Sequence, residues 1–351
     1  MTPSLRWNGR SDEPWRSAIR PLNSPLPVIA SRRPTNVDLG QRVTHRIFIL
    51  LATYNGAAYL RAQLDSLLVQ THTDWVLYWR DDGSTDGTVV MMEEFSALIG
   101  ANRCTRVTEP LRRVGPSASF MAILSAVTPL LEEADAIAFS DQDDIWLPDK
   151  LSRGVTALAA TDSAEPALYC ARLVVVTANL QRLGETLITS SDCGFPASLT
   201  QNIAVGCTIM MNQAAAVLVA NHLAPAVSPH DWWCYLLVTA SGGNVIVDSA
   251  TVAWYRQHAN NCVGFPRSKT RRAVAAIRRG PGVFMNVLRQ HVAALAANPD
   301  LLSDTSRPMV MQLQRALRGS FRQKLKTLSL PGLQRQSWLE TCLFRLWFVI
   351  G

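Results

Sequence analysis

The chain has 351 residues, 48% of them hydrophobic, which is ample for a buried core and excludes a disordered protein; one large or two ordinary domains are expected. Lys and Arg number 34 against 27 Asp and Glu, and the net +7 favours anionic partners such as nucleotide diphosphates, lipid phosphates or nucleic acid. Seven scattered cysteines, none in a Cys-x-x-Cys pair, suggest neither a disulfide framework nor a zinc site, and with no secretory-type leader visible they fit a reducing cytoplasm.

Residues 1–45 are rich in proline and charge, with little hydrophobic periodicity, and read as a mobile leader outside the fold. At Ile47-Phe48-Ile49-Leu50-Leu51 the pattern becomes a short apolar run, the mark of a strand buried on both faces. Thr53-Tyr54-Asn55-Gly56 is turn-like, and Leu60, Leu64, Leu67 and Leu68 then place one apolar stripe on a helix. A second strand, Trp75-Val76-Leu77-Tyr78-Trp79, runs into the acidic loop Asp81-Asp82-Gly83-Ser84-Thr85-Asp86-Gly87. Another, Ala136-Ile137-Ala138-Phe139, ends in Ser140-Asp141-Gln142-Asp143-Asp144.

This rhythm predicts an α/β fold. Ligands of open α/β sheets bind beyond the carboxyl ends of the strands, so the Thr53 turn and both acidic loops should converge on one site. Further strands are expected over 168–176, 203–211 and 245–247. Beyond Pro266 the chain is Arg-, Ala- and Leu-rich with helical spacing, broken into pieces at Pro308 and Pro331. The organisation expected is a leader over 1–45, a main domain over 46–265 and a basic helical extension over 266–351.

Asp141, Asp143 and Asp144 offer hard oxygen ligands suited to Mg²⁺ or Mn²⁺; a solvated acidic turn or helix cap is the competing reading. Asp81 and Asp82 suit hydrogen bonds to a base or ribose, or simply a cap. Gly206 permits close backbone approach, to a ligand or in a tight turn. In His230-Asp231-Trp232-Trp233 a carboxylate sits beside large apolar rings, an environment that raises proton affinity and makes Asp231 a candidate general base, with helix capping as the alternative. His258 is a metal ligand or a structural histidine.

The ordered set Leu51-Ala52-Thr53-Tyr54-Asn55-Gly56, Arg80-Asp81-Asp82-Gly83-Ser84-Thr85-Asp86-Gly87-Thr88 and Asp141-Gln142-Asp143-Asp144-Ile145-Trp146-Leu147-Pro148-Asp149-Lys150 closely resembles the inverting family 2 glycosyltransferases. That resemblance covers roughly residues 46–265. It implies a GT-A fold, a Rossmann-like mixed sheet flanked by helices. It also implies that Thr53, Tyr54 and Asn55 lie near a donor nucleotide and that Asp81 or Asp82 contacts its base or ribose. Asp141 and Asp143 would form the metal-binding Asp-x-Asp, with Asp141 also beside the donor, and His258 would add a ligand for Mg²⁺ or Mn²⁺. Asp231 stands where the family carries its acidic base.

The forms Arg-Asp-Asp-Gly-Ser, Asp-Gln-Asp-Asp-Ile-Trp and His-Asp-Trp-Trp look most like rhamnosyltransferase-type members that build bacterial surface polysaccharides. They make dTDP-rhamnose the preferred donor and a polysaccharide or lipid-linked glycan the acceptor. A UDP-hexose donor, or a noncatalytic nucleotide-binding scaffold, is the alternative. No nucleic-acid-reading motif is present. The apolar tail over 343–350 and the basic stretches 267–279 and 315–335 suit an anionic membrane surface, at the inner face of the plasma membrane, or else a solvated helix face and a core-packing last helix. No run is long enough to cross a bilayer.

Overall fold

The structure, a computed structural model, describes residues 46–187, 193–258 and 280–351; the Pro-rich leader and the basic stretch 267–279 lie outside the described residues. Strands β1 (Ile47–Thr53), β2 (Trp75–Asp81), β3 (Cys104–Arg106) and β4 (Ala136–Ser140) run parallel in the order β3-β2-β1-β4. The sheet continues from β4 through β8 (Met210–Asn212), β6 (Ala167–Thr177), β9 (Asn244–Gln257) and β5 (Ile145–Trp146), with β7 (Arg182–Glu185) beside β6. Because β8 is antiparallel to both β4 and β6, strands β6 and β9 point the same way as β1. The carboxyl ends of β1, β2, β4, β6 and β9 therefore gather at one end of the sheet. The chain leaves β1 for β2 and β3 on one side and returns to β4 on the other, which sets a topological switch point between β1 and β4.

Helices cover both faces, and the alternation inside β1 shows why its sequence is apolar throughout. Ile47, Ile49 and Leu51 pack with Leu60, Leu64 and Leu67 of α1 (Leu60–Leu68) and with Met92 and Phe95 of α2 (Thr88–Ile99). Phe48 and Leu50 face the other layer, against Phe120, Ile123 and Leu124 of α3 (Pro116–Val127). On the first face also lies α4 (Lys150–Leu158), through Leu151 and Leu158; on the second lie α5 (Gln213–Ala220) and α6 (His230–Ala240). The C-terminal helices α7 (Pro281–Ala297), α8 (Ser306–Arg318) and α10 (Trp338–Ile350) join that second layer; the short α9 (Phe321–Thr327) links α8 to α10. Met285, Leu288, Val310, Leu313, Phe344 and Phe348 share one core with Trp233 and Leu237 of α6.

Two local expectations change. The stretch 203–211 is not a continuous strand: a 3-10 turn at Gly206–Thr208 precedes the three-residue β8. Gly206 is pressed against α6, where an added Cβ would lie 3.0 Å from His230 Nε2, so the chain turns there instead of pairing. Pro308 does not break a helix but sits in the first turn of α8, where its missing N–H costs no hydrogen bond. Pro331 does fall between α9 and α10.

Candidate active site

Thr53 and Asp81 are register partners at the ends of β1 and β2, and Thr53 Oγ1 donates to Asp81 Oδ1 at 3.0 Å. The Asp81 carboxylate also accepts from Ser84 Oγ at 2.5 Å and from the N–H groups of Gly83 and Ser84 at 3.0 and 2.7 Å. Asn55 adopts φ 46°, the left-handed conformation that Asn tolerates better than most residues, and its Oδ1 accepts from Thr85 N–H at 2.8 Å. The turn after β1 is thus pinned to the acidic loop after β2 by short polar side chains. Tyr54 is held by Gln142: its N–H donates to Oε1 at 2.9 Å and its carbonyl accepts from Nε2 at 3.0 Å. A Cβ at Gly56 would lie 2.2 Å from Gln142 Oε1, so glycine is what allows this stitch.

Asp82 is distinguished from Asp81 by its surroundings. It is 4% exposed and pairs with the buried Arg80 at 2.8 Å, while the N–H groups of Val114 and Gly115 donate to its two oxygens at 2.8 Å each. These partners hold its carboxyl below the ordinary value despite burial, which opposes them. Arg80 in turn donates to Ser119 Oγ and to the carbonyls of Pro110 and Arg112. The pair anchors the 110–115 loop over the β2 end, and Arg113 from that loop lies over the Tyr54 ring at 3.9 Å. Of the two carboxylates expected as donor contacts, Asp82 is engaged in holding this loop, and Asp81 alone keeps part of its surface open.

Beyond β4, the acidic run is brought against β9 because Ile145 and Trp146 pair with Trp254 and Ala253. Asp143 Oδ2 and His258 Nε2 meet at 2.7 Å, and the His258 ring stacks on Tyr59. Asp144 is fully buried: Oδ1 accepts from Arg256 N–H at 3.2 Å, the Cys207 thiol donates to the carboxylate, and Oδ2 has no hydrogen-bond partner. Ligand atoms of Asp141, Asp144 and Cys207 lie within 4.8 Å of one another. Burial and the neighbouring charges of Asp144, Asp143 and Asp231 push Asp141 well above the usual carboxylate range, and Asp144 is raised to about 7 by burial and Asp143. A cluster of carboxylates that repel each other this strongly is a place suited to a cation. Burial keeps Cys207 a thiol, so the available donors are hard oxygens and an imidazole.

Asp231 stands in the first turn of α6 across from this cluster, and its charge is felt at Asp141. Its carboxylate accepts from Trp232 N–H at 2.7 Å, and the neighbouring Gly206 backbone and Asn202 side chain also lower its proton affinity. Burial outweighs these bonds and raises it to about 6. The structure therefore brings Thr53, Tyr54, Asn55, Asp81, Asp141, Asp143, Asp231 and His258 to the carboxyl end of the sheet. Sequence reasoning missed Arg80, Gln142 and Lys150. The last is fully buried, with Nζ 3.6 Å from the Trp146 ring centroid and no hydrogen bond, and burial lowers it to about 7 while Cys207, Asp144 and Asp141 oppose the drop. A lysine closing the Asp-Gln-Asp-Asp-Ile-Trp-Leu-Pro-Asp-Lys run was in plain view as a motif member; nothing in the run signalled that it points inward.

Residues 48–195 match the family model described as Glycosyl transferase family 2. The dTDP-rhamnosyl transferase RfbG of Shigella flexneri is 28% identical over 225 residues, covering 61% of this chain and 73% of that protein. The UDP-Glc:alpha-D-GlcNAc-diphosphoundecaprenol beta-1,3-glucosyltransferase WfgD of Escherichia coli is 30% identical over 112 residues, covering 32% of this chain and 40% of its own. Among solved structures, residues 1–349 of S. aureus TarS in complex with UDP-GlcNAc give a TM-score of 0.51 at 16% identity, over 77% of this chain and 71% of that one; the likeness is one of fold. The mixed sheet with its flanking and C-terminal helices is a GT-A fold. Together these findings support a glycosyltransferase of family 2.

Proposed function

We propose that the chain transfers a sugar, with inversion, from a nucleotide-sugar donor to a hydroxyl of a cell-surface polysaccharide or lipid-linked glycan, and that the donor is dTDP-rhamnose. The observation that carries the transfer is Asp231: a carboxylate in the first turn of α6 with proton affinity raised to about 6 by burial, near enough to the Asp141 cluster for its charge to act there. The rhamnosyl donor is supported by the likeness to RfbG and by the motif forms described above. Thr53, Tyr54, Asn55 and Asp81 shape the donor side. Asp141, Asp143 and His258 would hold Mg²⁺ or Mn²⁺, which when bound supplies positive charge to the diphosphate.

The chain's own part in the reaction follows from the placement of Asp231. Its carboxylate takes the acceptor hydroxyl proton as that oxygen bonds to the anomeric carbon from the face opposite the diphosphate. The anomeric carbon–oxygen bond to the diphosphate breaks with its electron pair on the leaving oxygen, and the proton passes from Asp231 to solvent. One base suffices, because the diphosphate leaves as an anion without prior protonation.

The test is a thermal-shift panel of dTDP-rhamnose, UDP-glucose, UDP-galactose and UDP-GlcNAc, each with Mn²⁺ or EDTA, followed by transfer assays of Asp231→Asn. The expected result is a Mn²⁺-dependent shift with dTDP-rhamnose and an Asn variant that binds donor without transferring it. A selective shift with a UDP-sugar would replace the donor assignment, and full transfer by the Asn variant would remove Asp231 from the reaction.

A further inference from the structure

The outward side of the C-terminal helices carries an apolar stripe that the fold leaves uncovered. On α10, Thr341, Phe344 and Phe348 turn inward, while Trp338, Cys342, Leu346 and Ile350, each four residues apart, form the opposite line. Trp338 is 76% exposed, Leu339 beside it 72% and Ile350 64%. The helix α9 adds Phe321, 60% exposed, and Leu325. Lys324 Nζ donates to Val349 O at 3.2 Å, which sets α9 against the last turn of α10 and joins the two sets of apolar side chains. Charge in this region is predominantly positive. Over 306–351 the sole acidic residue is Glu340, whereas Arg315, Arg318, Arg322, Lys326 and Arg345 are all exposed. No helix among the described residues is long and apolar enough to cross a membrane.

We infer that the α9–α10 face docks the protein on the surface of an anionic lipid bilayer, with Trp338, Leu339, Phe321 and Ile350 entering the headgroup boundary and the surrounding arginines and lysines meeting lipid phosphates. Large apolar side chains ringed by basic ones match that interface, where the apolar groups enter the acyl boundary and the basic ones meet lipid phosphates, and a nucleic acid offers no counterpart to the apolar stripe. The face is also tied to the pocket. Thr200 Oγ1 donates to Gln334 O at 2.7 Å, Arg335 donates to Thr200 O at 2.6 Å, and Gln336 N–H donates to Gln201 Oε1 at 3.1 Å. The next residue, Asn202, stands close enough to Asp231 to lower the proton affinity of its carboxyl. The Trp338 end of the face is therefore coupled to the wall that carries the candidate base. If the transferase reading holds, docking delivers that wall to acceptors embedded in the same membrane; the docking itself does not depend on it.

The experiment is co-sedimentation of the full chain with phosphatidylglycerol–phosphatidylcholine vesicles and with pure phosphatidylcholine vesicles, alongside tryptophan quenching by brominated lipid. The expected result is partition onto the anionic vesicles only, with quenching that Trp338→Phe reduces. Arg322→Gln with Lys326→Gln should lower partition roughly 30-fold, from about a fivefold effect per basic residue at an anionic surface. Trp338→Ser with Leu339→Ser should abolish quenching at unchanged melting temperature, since both side chains are exposed. Absence of binding to anionic vesicles, or equal binding to neutral ones, would overturn the inference. So would light scattering that shows a dimer in solution which the Ser pair dissociates, because the stripe would then be an interface between copies. Donor binding measured on the same samples separates a failure of docking from a failure of the transferase reading.

Discussion

Replacing Gly56 with alanine tests the stitch between the two loops that flank the donor side of the pocket. The new Cβ would stand 2.2 Å from Gln142 Oε1, far inside contact distance, while the Gly56 backbone itself needs no left-handed conformation. Gln142 must swing away, and both of its hydrogen bonds to the Tyr54 backbone go with it. At about 1 kcal/mol each, their loss costs about 2 kcal/mol, of which about 0.5 kcal/mol is returned because alanine restricts the unfolded chain. Gln142→Ala removes the same two bonds and should cost about 2 kcal/mol. In the double variant the alanine carbon enters space already vacated, so the pair should cost about 1.5 kcal/mol instead of the roughly 3.5 kcal/mol of two independent losses. Urea denaturation of the four proteins at matched slopes measures this coupling. Additivity to within about 0.5 kcal/mol would refute the steric link between Gly56 and Gln142.

Arg80→Lys should destabilise the chain by about 3 kcal/mol in the same assay, since an ammonium cannot reach Asp82, Ser119 and two carbonyls together and leaves the buried Asp82 underpaired; a loss below about 1 kcal/mol would mean that the loop has other anchors. The working form of Asp231 is the carboxylate, so with its proton affinity raised from 3.8 to about 6, kcat/KM should fall about tenfold per pH unit below pH 6 and stay level above it. For stability the sign is reversed. The fold favours the protonated acid, Asp231 therefore weakens the folded state as pH rises from about 4 to 6, and Asp231→Asn should melt higher than the wild type at pH 7.5. An Asn variant that melts lower would show that the bonds to Trp232, Gly206 and Asn202 outweigh burial. Asp143→Ala should abolish the difference between Mn²⁺ and EDTA in donor-induced thermal shifts, and a shift that persists would move the metal role away from the Asp143–His258 contact.

The strands that place the site were legible because β1 and β4 are buried on both faces and β2 on one, with its other face half-buried, so each appears as an apolar run that ends at polar side chains. Asp141, Asp143 and Asp231 were legible because a carboxylate beside a strand end or a row of tryptophans is an unusual neighbour. What stayed hidden depends on direction. Arg80 reads as a surface charge flanking an acidic loop, yet it points into the protein and holds 110–115; Lys150 reads as the start of a solvated helix, yet it lies on the Trp146 ring. For Arg80 the deciding partners, Ser119 and the carbonyls of Pro110 and Arg112, are far away in sequence; for Lys150 the Trp146 ring is four residues away, but its burial is set by the packing of the whole layer. The stretch 203–211 was read as a strand from its apolar content, but the contact of Gly206 with α6 is tertiary and overrides that preference.

Among the described residues the two helical layers pack into separate hydrophobic clusters on opposite faces of the sheet. In the proposed reaction the donor-side loops spring from strand ends backed by α1 and α2, whereas Asp231 rides on α6, whose back is filled by α7, α8 and α10. Substitutions in one cluster need not repack the other, so under the proposed function donor and acceptor preferences can drift apart in evolution on separate tracks. The unit of exchange on the acceptor track is larger than its loops. A chimera that imports α6 from a relative must import 281–351 along with it, or leave Trp233 and Leu237 against foreign side chains.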